Sequence, residues 1–111
     1  MKFSESLKKS KDFQNVYNKG NSYANRLLVM YVLENHTDKN RLGISVSKKV
    51  GNSVVRSRSK RLIYEAYRLN YHELKPGYDY VFVARSAIND KKYSDVEGAM
   101  KNLFKKAGIY L

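Results

Sequence analysis

Residues 48–61 read KKVGNSVVRSRSKR, and six of the fourteen are Lys or Arg with no acid among them. The stretch changes character at its middle. Gly51-Asn52-Ser53 breaks the pattern before it and offers helix caps. From Val54 onward apolar positions recur at helical spacing. At roughly 100° per residue, Val55, Ser59, Leu62, Ala66 and Leu69 share one side, with Ile63 at its edge. Arg56, Lys60, Arg61 and Arg68 fall outside that stripe, and Arg58 lies at the opposite edge. The segment predicts a loop and then a helix from Val54 to about Glu73 that buries one stripe and displays a basic surface.

The charge sits against local preference. A helix start carries partial positive charge and free amides, so acids are favoured there and cations are not. Yet Arg56 and Arg58 occupy the first turns. From Lys48 to Arg68, seven basic residues (48, 49, 56, 58, 60, 61 and 68) face one acid, Glu65, a net +6 and half of the chain's +12. Neighbouring like charges on a helix repel by a few tenths of a kcal/mol per pair, roughly. An anionic partner at the helix start resolves the conflict. Gly51 lets a backbone come close, Asn52 can cap the helix or bond the partner, and the arginine forks suit phosphate.

Outward from this segment the chain reads as alternating elements. Arg41 to Lys48 sets Leu42, Ile44 and Val46 against Gly43, Ser45 and Ser47, a half-buried strand. Arg26 to Glu34 is a second strand, and the polar turn Asn35 to Asn40 predicts that the two form a hairpin. Asp12 to Asn18, with Phe13, Val16 and Tyr17 at helical spacing, reads as a short helix stopped at Gly20. After the basic helix, Lys75-Pro76-Gly77 turns the chain. Tyr80 to Arg85 is apolar enough for a central strand. Ser94 caps a last helix to about Lys106, with Val96, Met100, Leu103 and Phe104 inward and Gly108 at its end. The order α-β-β-α-β-α over residues 1–111 predicts one α+β domain, a sandwich of helices on a small mixed sheet.

Composition narrows the function. Self-repulsion at +12 destabilises a 111-residue fold unless a polyanion offsets it. A pI near 9.9 puts nucleic acid first and an anionic membrane surface second. With no cysteine, disulfide scaffolds, thiolate zinc sites and a cysteine nucleophile are excluded. The opening MKFSESLKKSKDF has no apolar core of signal-peptide length. The longest apolar run, Leu27 to Leu33, is too short to span a bilayer. A soluble, cytoplasmic protein with no membrane partner is expected. His36 in a polar turn and His72 near a helix end have no sequence-adjacent partner for catalysis or metal binding. The carboxylates are scattered, so no catalytic or metal-ligating residue is expected.

The run Lys48-Lys49-Val50-Gly51-Asn52-Ser53-Val54-Val55-Arg56-Ser57-Arg58-Ser59-Lys60-Arg61 closely resembles the signature of the bacterial ribonuclease P protein subunit. Asp12 to Tyr17 with Gly20, then Ala24-Asn25-Arg26, look like that family's opening helix and first strand. Gly43 to Ser47 and Asp79 to Arg85 look like its later strands. Ser57 stands where the family's motif has Asn. Tyr64 and Glu65 stand where it often has further Arg, which shortens the expected basic surface. The resemblance implies a left-handed β-α-β crossover between the strands near Lys48 and Tyr80, against the usual preference.

It also implies a role. The partners are the catalytic RNA of ribonuclease P and precursor tRNA, whose 5′ leader is removed, and no protein partner is required. The RNA carries out hydrolysis with Mg²⁺ that it mainly holds itself. Lys48, Lys49, Asn52, Arg56, Arg58, Lys60, Arg61 and Arg68 are then the expected RNA contacts. Phe13, Tyr17 and Tyr31 are expected to line a leader cleft, with Asn25 and Arg26 at the strand start beside it. Apart from the resemblance, Lys8, Lys9 and Lys11 read equally as an extension of the basic surface or as an ordinary charged N-terminus. Two other readings stand beside this one. A general basic RNA-binding or ribosome-associated module fits the composition but not the signature's spacing. A protein-only nuclease lacks its acidic cluster.

Overall fold

The computed structural model describes residues 4–111. In chain order the elements are β1 (Ser4–Ser6), α1 (Ser10–Lys19), β2 (Asn21–Ala24), β3 (Leu28–Glu34), β4 (Asn40–Ser45), α2 (Ser53–Asn70), β5 (Tyr78–Ala84) and α3 (Tyr93–Ala107). Short 3₁₀ turns lie at Tyr71–Glu73 and Ser86–Ile88. The strands form one mixed sheet in the order β1-β4-β5-β3-β2. The α+β class and the helix-on-sheet arrangement hold.

The expected hairpin does not form. β3 and β4 are separated by β5, which runs antiparallel to β3 and parallel to β4. The reason lies in burial. β5 is covered on both faces, since Tyr80, Val81 and Phe82 are all fully buried, and only the middle of a sheet with helices on both sides offers that. The turn between β3 and β4 bridges over the start of β5, where Asn35 Nδ2 donates to Asp79 Oδ1 at 2.9 Å. Two further strands, β1 and β2, carry no signal in the sequence. They are three and four residues long and mostly polar, so they carry no alternation to detect.

The sheet divides two cores. On one face, Leu28, Met30, Val32, Leu42, Tyr80 and Phe82 meet Ile63, Ala66 and Tyr67 of α2 and Val96, Met100, Leu103 and Phe104 of α3. On the other, Val81 meets Val16 of α1 and Leu7, with Phe13, Tyr17, Tyr31, Leu33 and Val83 packed around them. The inward face of α3 is the one expected, although the helix starts one residue before Ser94. There the Lys92 N–H donates to Asp95 Oδ2 at 3.1 Å.

The stripe of α2 is rotated from the expected one. Its buried residues are Ser59, Ile63, Ala66, Tyr67 and Asn70, whereas Leu69 is 46% exposed. Val55 and Leu62 are half-buried. Tyr67 decides the rotation. Its ring lies 5.9 Å from Tyr80 and 6.3 Å from Phe82, and burying so large a ring outweighs burying a leucine. An ion pair to a buried carboxylate fixes the far end of the sheet. Arg41 donates through Nε and Nη2 to the two carboxylate oxygens of Asp79, at 2.7 and 2.6 Å.

Candidate nucleic-acid interface

Two surfaces bear the expected site residues. The first is the start of α2. Asn52 caps the helix, its Oδ1 accepting from the Val55 N–H at 3.0 Å, which satisfies one of the orphan amides. Gly51 is required by space. A Cβ there would stand 2.8 Å from Val55 Cγ1, because the loop folds back on the first helical turn. No acid lies in that turn. The helix dipole and the cations therefore add rather than cancel.

Lys48, Lys49, Lys60 and Arg61 are exposed. Among the described residues, none of these four, nor Arg56 or Arg58, forms an ion pair. Arg56 donates Nη1 to the Gly51 carbonyl at 2.9 Å, and Arg58 donates Nη2 to the Lys91 carbonyl at 2.8 Å. Each guanidinium is thus aimed by one main-chain bond and keeps its full charge and its remaining donors. Arg68 differs. It makes a two-pronged pair with Glu65, both bonds 2.9 Å. The guanidinium holds the Glu65 carboxyl below its ordinary range. The basic surface consequently ends near Arg61.

The second surface is the outer face of the sheet beside α1. Tyr17 and Tyr31 meet edge to face with centroids 4.9 Å apart, and Phe13 lies 6.4 Å from Tyr17. All three rings are half-buried. The helical spacing of 13 and 17 and the outward register of residue 31, opposite Val81, bring them together as expected.

The last two expected residues lie in the turn from β2 to β3. Arg26 is exposed. Asn25 has a structural task instead of a free side chain. Its Oδ1 accepts from the Leu27 and Leu28 amides at 3.2 and 3.1 Å, and its Nδ2 donates to the Ala99 carbonyl at 2.8 Å. That carboxamide is turned to α3, on the opposite face of the sheet from the rings. The expectation that Asn25 joins the leader residues therefore meets a side chain already occupied. The N-terminal lysines 8, 9 and 11 are exposed around the start of α1. Two residues that sequence reasoning missed bear on the basic loop: Ser86 Oγ donates to the Lys49 carbonyl at 3.3 Å, and Asn89 Nδ2 donates to the Val50 carbonyl at 3.1 Å. No sequence signal marked them, because their partners are main-chain atoms nearly forty residues away.

The donor set for metals is poor. Among the described residues no three His, Cys, Asp or Glu side chains are grouped to hold a metal ion. Nor is any described helix long and apolar enough to cross a membrane.

Comparison with known proteins agrees with this geometry. The family profile described as Ribonuclease P matches residues 1–108. A ribonuclease P protein component of Clostridium botulinum (strain Langeland) is 59% identical over 105 residues, covering 94% of this chain and 95% of its own. That of Clostridium novyi is 56% identical over 112 residues, covering 99% of both. The solved RNase P protein of Staphylococcus aureus superposes with a TM-score of 0.87 at 36% identity, over 96% of this chain and 97% of that one. The RNase P protein from Thermotoga maritima does so with a TM-score of 0.83 at 28% identity, over 91% and 96%. A basic loop and helix start, a ring-lined sheet face and a match across nearly the whole chain agree on one assignment: the chain belongs to the ribonuclease P protein family.

Proposed function

We propose that the protein is the RNA-binding subunit of a ribonuclease P ribonucleoprotein and promotes removal of the 5′ leader from precursor tRNA in the cytoplasm. The carrying observation is the unpaired cationic cluster at the α2 start, on a chain of this family. Lys48, Lys49, Arg56, Arg58, Lys60 and Arg61 neutralise phosphates of the catalytic RNA. Arg68 is a lesser contact because Glu65 already holds it. Asn52 serves by capping the helix and so fixing the loop.

The leader lies on the ring-bearing face. Single strands bind where rings offer stacking surfaces and cations follow the backbone. Tyr17 and Tyr31 stack on leader bases, Phe13 forms the packed wall beside them, and exposed Arg26 neutralises a phosphate. Asn25 holds the turn that carries Arg26. The protein supplies binding and orientation rather than bond breaking. The catalytic RNA carries out hydrolysis, and the Mg²⁺ it uses is held mainly by RNA phosphates, a division supported by the scattered carboxylates of this chain.

The test is cleavage of a precursor tRNA at low Mg²⁺ with the protein alone, the cognate catalytic RNA alone, and both. Cleavage only with both together is expected. Cleavage by the protein alone would overturn the division of labour. No enhancement by the protein would return the basic helix to a general RNA-binding role.

A further inference from the structure

A loop that carries Lys48 and Lys49 into a helix start bearing Arg56 and Arg58 is pushed apart by its own charge. Something must hold it. A carboxylate would do so by ion pairing, but it would also cancel the charge that an RNA needs. The fold uses another device. Segment Ser86–Lys91 meets the loop and the first turns of α2 through three hydrogen bonds: Ser86 Oγ to the Lys49 carbonyl, Asn89 Nδ2 to the Val50 carbonyl, and Arg58 Nη2 to the Lys91 carbonyl. None involves an acid. Asp90, the one acid in the segment, forms no ion pair among the described residues. Two neutral side chains hold the loop, Arg58 donates to an uncharged carbonyl, and every positive charge is kept.

The holding segment is itself firmly placed. Ile88 is fully buried. Its N–H donates to the Arg85 carbonyl at 2.9 Å, and the Arg85 N–H donates to the Leu27 carbonyl at 2.9 Å. On the loop side, Val50 is buried and its N–H donates to the Ser47 carbonyl at 3.1 Å. The seat is thus anchored in the core, whereas on the loop Val50 is buried beside exposed Lys48 and Lys49, and the side-chain bonds fix the Lys49 and Val50 carbonyls against the seat.

We propose that segment Ser86–Lys91 is a charge-neutral seat that preorganises the Lys48–Gly51 loop for RNA, with Ser86 and Asn89 as positioning residues although neither carries charge. This rests on reading the α2 start as the RNA-binding surface. Without the two side-chain bonds the loop samples other shapes. If about a tenth of molecules then hold the competent shape, the apparent Kd rises about tenfold. The number of phosphates neutralised does not change, so the salt slope stays the same.

The experiment compares wild type with Ser86→Ala/Asn89→Ala for binding to the cognate catalytic RNA across a salt series. Amide exchange of residues 48–52 is measured in the free proteins. The expected result is a line of log Kd against log salt displaced about tenfold with unchanged slope, together with faster loop exchange in a protein that melts cooperatively. Ser86→Thr, which keeps the hydroxyl, should bind as wild type. Wild-type affinity and exchange in the double variant would overturn the seat. So would a changed slope, which would make these residues part of a phosphate contact. Should the double variant not fold, Ser86→Ala alone removes the longer, exposed bond and gives the same comparison on a smaller scale. If wild type itself fails to bind the RNA while loop exchange still quickens, the RNA-binding reading falls and takes with it the seat's part in binding, though not its geometry.

Discussion

Phe13 lies over Gly43 so closely that a Cβ on residue 43 would stand 2.7 Å from both Cε1 and Cζ of the ring. The glycine is therefore the floor on which the wall of the ring-bearing face rests. Gly43→Ala forces the ring off its seat, and overpacking of this kind costs about 1–3 kcal/mol. Urea unfolding measures it. A variant as stable as wild type would mean that the ring swings aside freely.

Tyr17 and Tyr31 lean on each other edge to face, so each keeps part of its ring open. Replacing either with Ala should weaken binding of leader-bearing precursor by about 1–3 kcal/mol for each base that no longer stacks and leave mature tRNA little changed. Comparing the two affinities decides between stacking on a leader and packing alone, since a pure packing defect would lower both equally.

The cations of α2 should separate into two groups by salt dependence. Neutralising Arg56 and Arg58 together should flatten the slope of log K against log salt by about 0.9 for each phosphate that is no longer neutralised. Arg68→Gln should change it far less, because Glu65 already occupies that guanidinium. Equal effects would show that the Glu65 pair opens on binding.

The Tyr80 hydroxyl is buried and has no hydrogen-bond partner among the described residues. Leaving such a group unsatisfied costs about 1–3 kcal/mol, so Tyr80→Phe should raise stability at neutral pH by about 1 kcal/mol. The same group shapes the alkaline limit. Burial pushes the Tyr80 phenol well above its ordinary value. Burial, then the bond to Glu97, pushes Tyr93 up to about 12. The native state thus keeps protons that the unfolded chain releases near pH 10. Stability is whole below about pH 10 and declines as pH rises above it. Tyr80→Phe should make that decline shallower, which denaturant midpoints between about pH 9 and 12 would record.

What could be read from the sequence followed the size of each signal. The basic face of α2 was legible because cations at a helix start break a local rule. The central place of β5 was legible because its residues are apolar on both faces. The partnership of β3 and β4 is not legible, since adjacency in sequence suggests a hairpin and only the burial of β5 forbids it. Edge strands β1 and β2 are too short and polar to announce themselves. The inward side of α2 was missed by one position because Tyr67, amphipathic in sequence, is wholly buried against Tyr80 and Phe82. The fixed carboxamide of Asn25 and the bonds from Ser86 and Asn89 could not be seen at all, because each depends on a main-chain atom brought close only by the fold.

The order of the strands also sets a timetable. β5 supplies the neighbour of both β3 and β4, yet it begins 44 residues after the end of β3 (residues 34 and 78). On a ribosome the chain emerges at about 5–20 residues per second. For several seconds β3 and β4 exist with their inner edges unpaired, and the sheet closes only when residues 78–84 arrive. Pairings of such long sequence separation are slow to form and expose strand edges while they wait. In that interval the strong positive charge of the chain, half of it between Lys48 and Arg68, keeps nascent copies from associating through those edges.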